Sequence, residues 1–206
     1  MTLTLRGSEE FFSPMAGVDA IVIGASAGGV EALSQLLPGL PADFRPAVLI
    51  VVHVRSDAPS LLPELFASRC RLPVVEPDDK AAITGGTIYL APPGYHMLVE
   101  PDCTISLSVD PPVRFSRPSV DVLFESAALC FGDALLGIVL SGANDDGARG
   151  LEAIERAGGR CWVQEPRTAM SDAMPLGAIA GGGVRDVLTI DAMLARLRGM
   201  GQGSAT

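Results

Sequence analysis

The chain has 206 residues, 48% of them hydrophobic and 19% charged, the balance of a globular protein with a sizeable core rather than of a disordered one. Its 15 Lys and Arg stand against 24 Asp and Glu, and the formal net charge of −9 argues against nucleic acid or an anionic membrane surface as partner. The longest apolar runs fall far short of the roughly 20 residues that span a bilayer, and the acidic pair Glu9-Glu10 sits where a secretory signal would carry its apolar stretch.

Residues 1–18 read as a flexible leader. Residues 19–24 form a short apolar, β-rich run that opens into the turn Ala25-Ser-Ala-Gly-Gly29. A helical pattern through Val30, Leu33, Leu36 and Leu37 follows and is closed by Pro38-Gly39. Residues 47–54 are apolar on both faces, as a buried parallel strand is, and 59–68 read as a helix with Pro59 near its first turn. Short strands are expected at 74–75, 87–90, 97–99 and 104–109, the last two as a β-hairpin. The segment Ser116-Arg-Pro-Ser119 opens a helix over 120–131, with Ser116 or Ser119 as its cap. The rhythm then continues with a strand at 135–141, a helix at 146–157, a strand at 159–164 and a short helix at 174–180. A strand at 187–190 and a helix at 191–198 complete it, and 199–206 read as a flexible tail. This alternation predicts a single α/β domain over 19–198. The expected fold is a doubly wound, mostly parallel sheet with helices on both faces and a β-hairpin insertion.

Cys70, Cys103, Cys130 and Cys161 are widely spaced and form no C-x-x-C pair, and the chain has two histidines. No metal site and no cofactor are expected, and the four thiols read as reduced cysteines of a cytoplasmic protein.

Open parallel sheets bind ligands beyond the carboxyl ends of their strands. Three such exits carry reactive groups. The first, Gly24-Ala-Ser26-Ala-Gly28, has the G-x-S-x-G spacing of a nucleophile elbow, although a plain Gly-rich turn with Ser26 as helix cap has the same pattern. The second strand ends at His53, an imidazole able to take a serine proton near neutral pH. The third exit, Leu140-Ser-Gly-Ala-Asn-Asp-Asp-Gly147, offers two adjacent acids, one of which could orient that imidazole. The order Ser, His, Asp differs from the Ser, Asp, His order of α/β-hydrolases.

With these residues the chain resembles the catalytic domain of the chemotaxis protein-glutamate methylesterase family, over about residues 20–190. The matching segments are Ile23-Gly-Ala-Ser-Ala-Gly-Gly29, Ala91-Pro-Pro-Gly-Tyr-His-Met97, Arg117-Pro-Ser-Val-Asp-Val-Leu-Phe124 and Leu140-Ser-Gly-Ala-Asn-Asp-Asp-Gly147. The resemblance implies Ser26 as nucleophile, His53 as general base and acid, and Asp146 as the orienting acid. It leaves Asp145 as a helix-terminal charge and His96 as a packing or cleft residue. Backbone N–H groups at Ala27 and Ala143 would form the oxyanion hole. Arg117, ahead of the helix at Pro118, could touch an acidic substrate segment or form a surface ion pair. The implied reaction removes methyl esters from glutamyl γ-carboxylates on the cytoplasmic helices of chemoreceptors, with deamidation of receptor glutamines by the same route.

The chain departs from the family at the acid-bearing turn, where Gly142-Ala-Asn144 replaces the usual Gly-Met-Gly. His53 is followed by Val54 in place of the usual methionine, and Ala173-Met-Pro175 stands for the usual Gly-Met-Pro. Residues 1–18 are too short to hold the family's N-terminal receiver domain. The altered turn raises a second expectation, a non-catalytic receptor-binding signalling module of the same fold. Dinucleotide binding is a third, but the glycine turn lacks G-x-G-x-x-G spacing and the second strand ends in His53 rather than an acid.

Overall fold

The computed structural model describes residues 17–53, 60–182, 184 and 186–200. Its strands are β1 (Ala20–Ala25), β2 (Ala47–Val52), β3 (Val74–Val75), β4 (Ile88–Leu90), β5 (His96–Val99), β6 (Ile105–Ser108), β7 (Leu135–Val139), β8 (Arg160–Gln164) and β9 (Asp186–Leu188). Helices α1 (Gly29–Leu36) and α2 (Leu62–Ala67) follow β1 and β2, and α3 (Val120–Phe131) follows β6. Helices α4 (Ala148–Arg156), α5 (Ala173–Ala180) and α6 (Ile190–Met200) follow β7, β8 and β9.

Seven strands form one sheet in the order β3-β4-β2-β1-β7-β8-β9, parallel at every pairing. β5 and β6 stand apart as an antiparallel hairpin, with His96 opposite Ser108 and Val99 opposite Ile105. The doubly wound sheet and the hairpin insertion are those expected. β1 is buried at every position because it feeds two cores. Ile21, Ile23 and Ala25 face the side covered by α1, α2 and α6, through Leu33, Leu36, Phe66, Met193 and Leu197. Ala20 and Val22 face the side covered by the hairpin, α3, α4 and α5, through Met97, Leu123, Phe124, Leu151, Ile154 and Met174. Each such buried Leu, Ile or Phe side chain contributes about 1.5–3 kcal/mol relative to exposure.

Element boundaries shift where a side chain intercepts the backbone. β7 ends at Val139 rather than 141, because the Ser141 N–H donates to Gln164 Oε1 at 2.9 Å. β9 ends at Leu188 because Thr189 caps α6, its hydroxyl accepting the Ala192 N–H at 3.2 Å. The expected positions Val54 and Pro59, the leader up to residue 16 and the tail from residue 201 lie outside the described residues.

The strand order reverses at β1, whose neighbours are β2 on one side and β7 on the other. The crevice beyond these three carboxyl ends is the switch point, where parallel sheets place their ligands. No helix among the described residues is long and apolar enough to cross a membrane.

Candidate active site

Ser26 leaves β1 with its N–H donating to the Ser141 carbonyl at 2.9 Å and its own carbonyl accepting the Gly29 N–H at 2.8 Å. The turn is closed by Gly28 at φ +77°, which occupies the cap position of α1. A side chain there would be strained, and a Cβ would come within 2.5 Å of Met170 Cβ. Ser26 is therefore not the cap of α1. Its hydroxyl has no hydrogen-bond partner among the described residues.

His53 extends the β1–β2 ladder by one step, its N–H donating to the Ala25 carbonyl at 3.0 Å. That fixes the ring beside the exit of β1. Its Nε2 lies 2.9 Å from Asp146 Oδ2, with side-chain exposures of 11% and 0%. An ionised carboxylate only accepts, so Nε2 carries the proton and Nδ1 presents a lone pair. The Asn144 side-chain amide donates to that lone pair at 3.3 Å. The Ser26 hydroxyl makes no hydrogen bond to the ring.

Asp146 is held from a different direction, by the start of α3. Its Oδ2 accepts the Val120 N–H at 2.7 Å, and its Oδ1 accepts the Asp121 N–H at 3.0 Å and the Ser119 hydroxyl at 2.9 Å. These backbone groups are among the unpaired donors that open every helix, and the helix dipole adds positive potential. Burial pushes the Asp146 carboxyl up, but bonds from His53 and from the backbone of Asp121 and Val120 outweigh it and hold the group below the usual range. Asp121 reciprocates. Its buried Oδ1 accepts the Gly147 N–H at 2.9 Å and the Gly150 N–H at 2.8 Å, at the start of α4. Asp146, two residues ahead of α4, thus caps α3, and Asp121, in the first turn of α3, caps α4.

The expected cap for α3 is corrected by this exchange. Ser119 occupies the cap position without a side-chain cap bond, and Ser116 pairs with Val113 in an isolated bridge. Ser119 instead gives its hydroxyl to Asp146. His96 completes the arrangement, buried to 2% exposure, with Nδ1 accepting the Ser119 N–H and Nε2 donating to the Pro111 carbonyl, each at 3.2 Å. Both ring nitrogens are used, so His96 joins the hairpin exit to α3.

Gly142 follows β7 and packs against the serine turn. A Cβ built on it would lie 1.9 Å from Met174 Sδ and 3.0 Å from Ser26 Cβ. Ser141 ties the loops together, its hydroxyl donating to the Ala27 carbonyl at 2.7 Å and accepting the Ser171 N–H at 2.9 Å. Ala27 and Ala143 are exposed, and among the described residues no acceptor takes either N–H.

Arg117, the expected substrate contact, is engaged within the protein. Its guanidinium donates to the carbonyls of Val109 at 2.6 Å and Asp110 at 3.0 Å, tying down the end of the hairpin. The arginine that reaches the acid-bearing turn is Arg114, which pairs with Asp145 and lies 3.5 Å from Asp121 Oδ2. Asp145 is exposed, and its carboxyl is held below the usual range by that arginine. Among the described residues no three His, Cys, Asp or Glu side chains gather with metal-binding geometry.

Sequence reasoning named Ser26, His53 and Asp146 but missed Ser119, Asn144, Ser141 and Met174. The capping signal near Ser119 was legible; its target, 27 residues away, was not.

The family model described as CheB methylesterase matches residues 21–197. A relative from Leptospira interrogans is 43% identical over 173 residues, covering 84% of this chain and 90% of that protein. The protein named protein-glutamate methylesterase/protein-glutamine glutaminase 1 of Geobacter metallireducens is 40% identical over 182 residues, covering 87% of this chain and 50% of that protein. The crystal structure of the Thermotoga maritima CheB methylesterase catalytic domain superposes with a TM-score of 0.84 at 25% identity, covering 88% of this chain and 97% of that one. A family model that matches residues 21–197 and a relative 43% identical over 84% of the chain show that this chain belongs to the CheB methylesterase family.

Proposed function

We propose that this chain is a serine hydrolase that removes methyl esters from glutamyl γ-carboxylates of chemoreceptors and deamidates receptor glutamines. The observation that carries the reading is the 2.9 Å bond between His53 Nε2 and the buried Asp146, beside the turn that bears Ser26. In this reading Ser26 Oγ attacks the ester carbonyl and its proton passes to His53 Nδ1. The Nε2–H stays on Asp146, whose negative charge stabilises the imidazolium. The free N–H groups of Ala27 and Ala143 receive the oxyanion. The imidazolium then protonates the departing methanol, and water cleaves the acyl-enzyme with the same groups in reversed roles. The two ring nitrogens are exchanged relative to the chymotrypsin arrangement, in which Nε2 faces the alcohol.

The reaction requires the Ser26 hydroxyl to turn toward Nδ1 and the Asn144 amide to yield that lone pair. Support for a protein substrate comes from the Geobacter metallireducens relative, named protein-glutamate methylesterase/protein-glutamine glutaminase 1. The test is methanol release from methylated receptor membranes. Wild-type chain should release methanol and Ser26→Ala should not, with its circular dichroism unchanged. Retained turnover in that variant rejects the assignment.

One observation favours a second reading, a non-catalytic receptor-binding module: the serine hydroxyl makes no bond to the ring while Asn144 occupies Nδ1. Under it, wild type and Ser26→Ala release equal methanol and bind receptor equally.

A further inference from the structure

Two thiols outside the site face each other. Cys103 Sγ lies 3.1 Å from Cys130 Sγ, across 27 residues of sequence. Cys103 sits in the hairpin turn between β5 and β6 at φ +60°, a conformation that needs outside support in a residue other than glycine. That support is present: its N–H donates to the Glu100 carbonyl at 2.9 Å and its carbonyl accepts the Ile83 N–H at 3.0 Å. Cys130 lies on α3, one turn beyond Ser126, whose hydroxyl accepts the Val99 N–H of β5 at 3.1 Å. Hairpin and helix are therefore already joined one turn away, and both sulfurs ride on fixed backbone.

We propose that Cys103 and Cys130 form a dithiol that closes to an intramolecular disulfide on exposure to a peroxide. The sulfurs must approach by about 1 Å to reach the ~2.05 Å bond length. Cys103 is exposed and Cys130 partly buried, so the peroxide reaches Cys103 first. Burial, together with the neighbouring sulfur, pushes the Cys130 thiol up to about 11, so it waits protonated. The Cys103 sulfur attacks one peroxide oxygen, the O–O bond breaks, and a sulfenic acid and one water form. The Cys130 sulfur then attacks that sulfenic sulfur, the S–S bond forms, the S–O bond breaks, and the Cys130 proton leaves with the hydroxyl as a second water. One peroxide is reduced by two electrons and two thiols are oxidised. The bond would fasten the hairpin to the helix whose first turn holds Asp146.

The test uses the full chain, reduced, desalted and treated with equimolar hydrogen peroxide without denaturant, then alkylated and digested with trypsin in the absence of reductant. Cleavage falls after Lys80, Arg114 and Arg149, since the Arg117-Pro118 bond resists, and separates the two cysteines. The expected product joins peptides 81–114 and 115–149, about 2 Da lighter than their sum, from chain that still runs as monomer on a non-reducing gel. It should exceed any species linking Cys70 or Cys161 by at least about ten-fold, vanish in the exposed-site variant Cys103→Ser, and persist in Cys70→Ser. Recovery of Cys103 as sulfinic or sulfonic acid with Cys130 fully alkylated overturns the proposal, as does a linked species found only between chains.

Discussion

The Asn144 amide and the lone pair of His53 Nδ1 meet at 3.3 Å, on the ring nitrogen opposite the one that faces Asp146. The contact requires a side-chain amide at this position of the turn, which Asn144 supplies. In the proposed mechanism the amide competes with the Ser26 hydroxyl. A neutral hydrogen bond is worth about 1 kcal/mol net, so Asn144→Gly should accelerate labelling of Ser26 by a fluorophosphonate by about five-fold. Asn144→Leu, which fills the space without a donor, should block it. The ring 15N spectrum provides a second readout, in which Nδ1 should shift in Asn144→Gly while Nε2 stays hydrogen-bonded. Labelling that slows in the glycine variant would mean that the amide holds the ring for catalysis instead.

Asp146 links the site to acid stability. Its folded carboxyl is held below its ordinary value, so it stabilises the fold fully at pH above about 3.9 and that contribution fades as pH falls through the lower folded value. Unfolding of the wild type should therefore grow more acid-sensitive below about pH 4, and Asp146→Asn should flatten that dependence in a urea titration repeated across pH. The asparagine should also cost about 1–3 kcal/mol at neutral pH, because its NH2 cannot accept the α3 donors. An unchanged acid limb in the variant would show that the carboxylate is not the group responsible.

Gly142 predicts a packing conflict with a built-in rescue. Gly142→Ala places a methyl on Met174 Sδ and against Ser26 Cβ. Overpacking of this kind costs about 1–3 kcal/mol, with a lowered Tm and slower Ser26 labelling. Met174→Ala in the same chain should recover part of both. Failure of the second substitution to recover any Tm would place the strain elsewhere.

Ser119→Ala removes one hydrogen bond to Asp146 Oδ1 while leaving both backbone donors. The expected result is a fall in methanol release of about three- to ten-fold with a loss of about 1 kcal/mol in stability. Because the serine touches the acid and not the substrate, the fall should lie in kcat with KM unchanged. A rise in KM alone would contradict the positioning role.

The sheet was legible because β1 and β2 are unbroken apolar runs that only two-sided burial explains, and because Gly28 and Gly147 stand at positive φ where the chain must leave a strand for a helix. His53 and Asp146 were legible as residues at strand exits, since the exits of a parallel sheet share one rim. The donors around Asp146 were not, because Ser119 and Val120 reach it through tertiary packing of α3, and no local spacing encodes that. Asn144 is in sequence only a departure from pattern, because its contact with the His53 ring spans 91 residues. Arg117 and Arg114, three residues apart, look alike in sequence; which one turns to the hairpin carbonyls and which to Asp145 is settled by the backbone between them.

The exchange of aspartate caps between α3 and α4 has an evolutionary consequence. Asp146 secures a helix as well as an imidazole, so a descendant that abandoned hydrolysis would still be obliged to retain it, and Asp121 with it. Among the described residues the Ser26 hydroxyl anchors nothing, so under the proposed mechanism it is free to drift once turnover ceases to matter. Under the proposed mechanism, the alcohol is the marker by which working enzymes of this architecture can be told from retired ones.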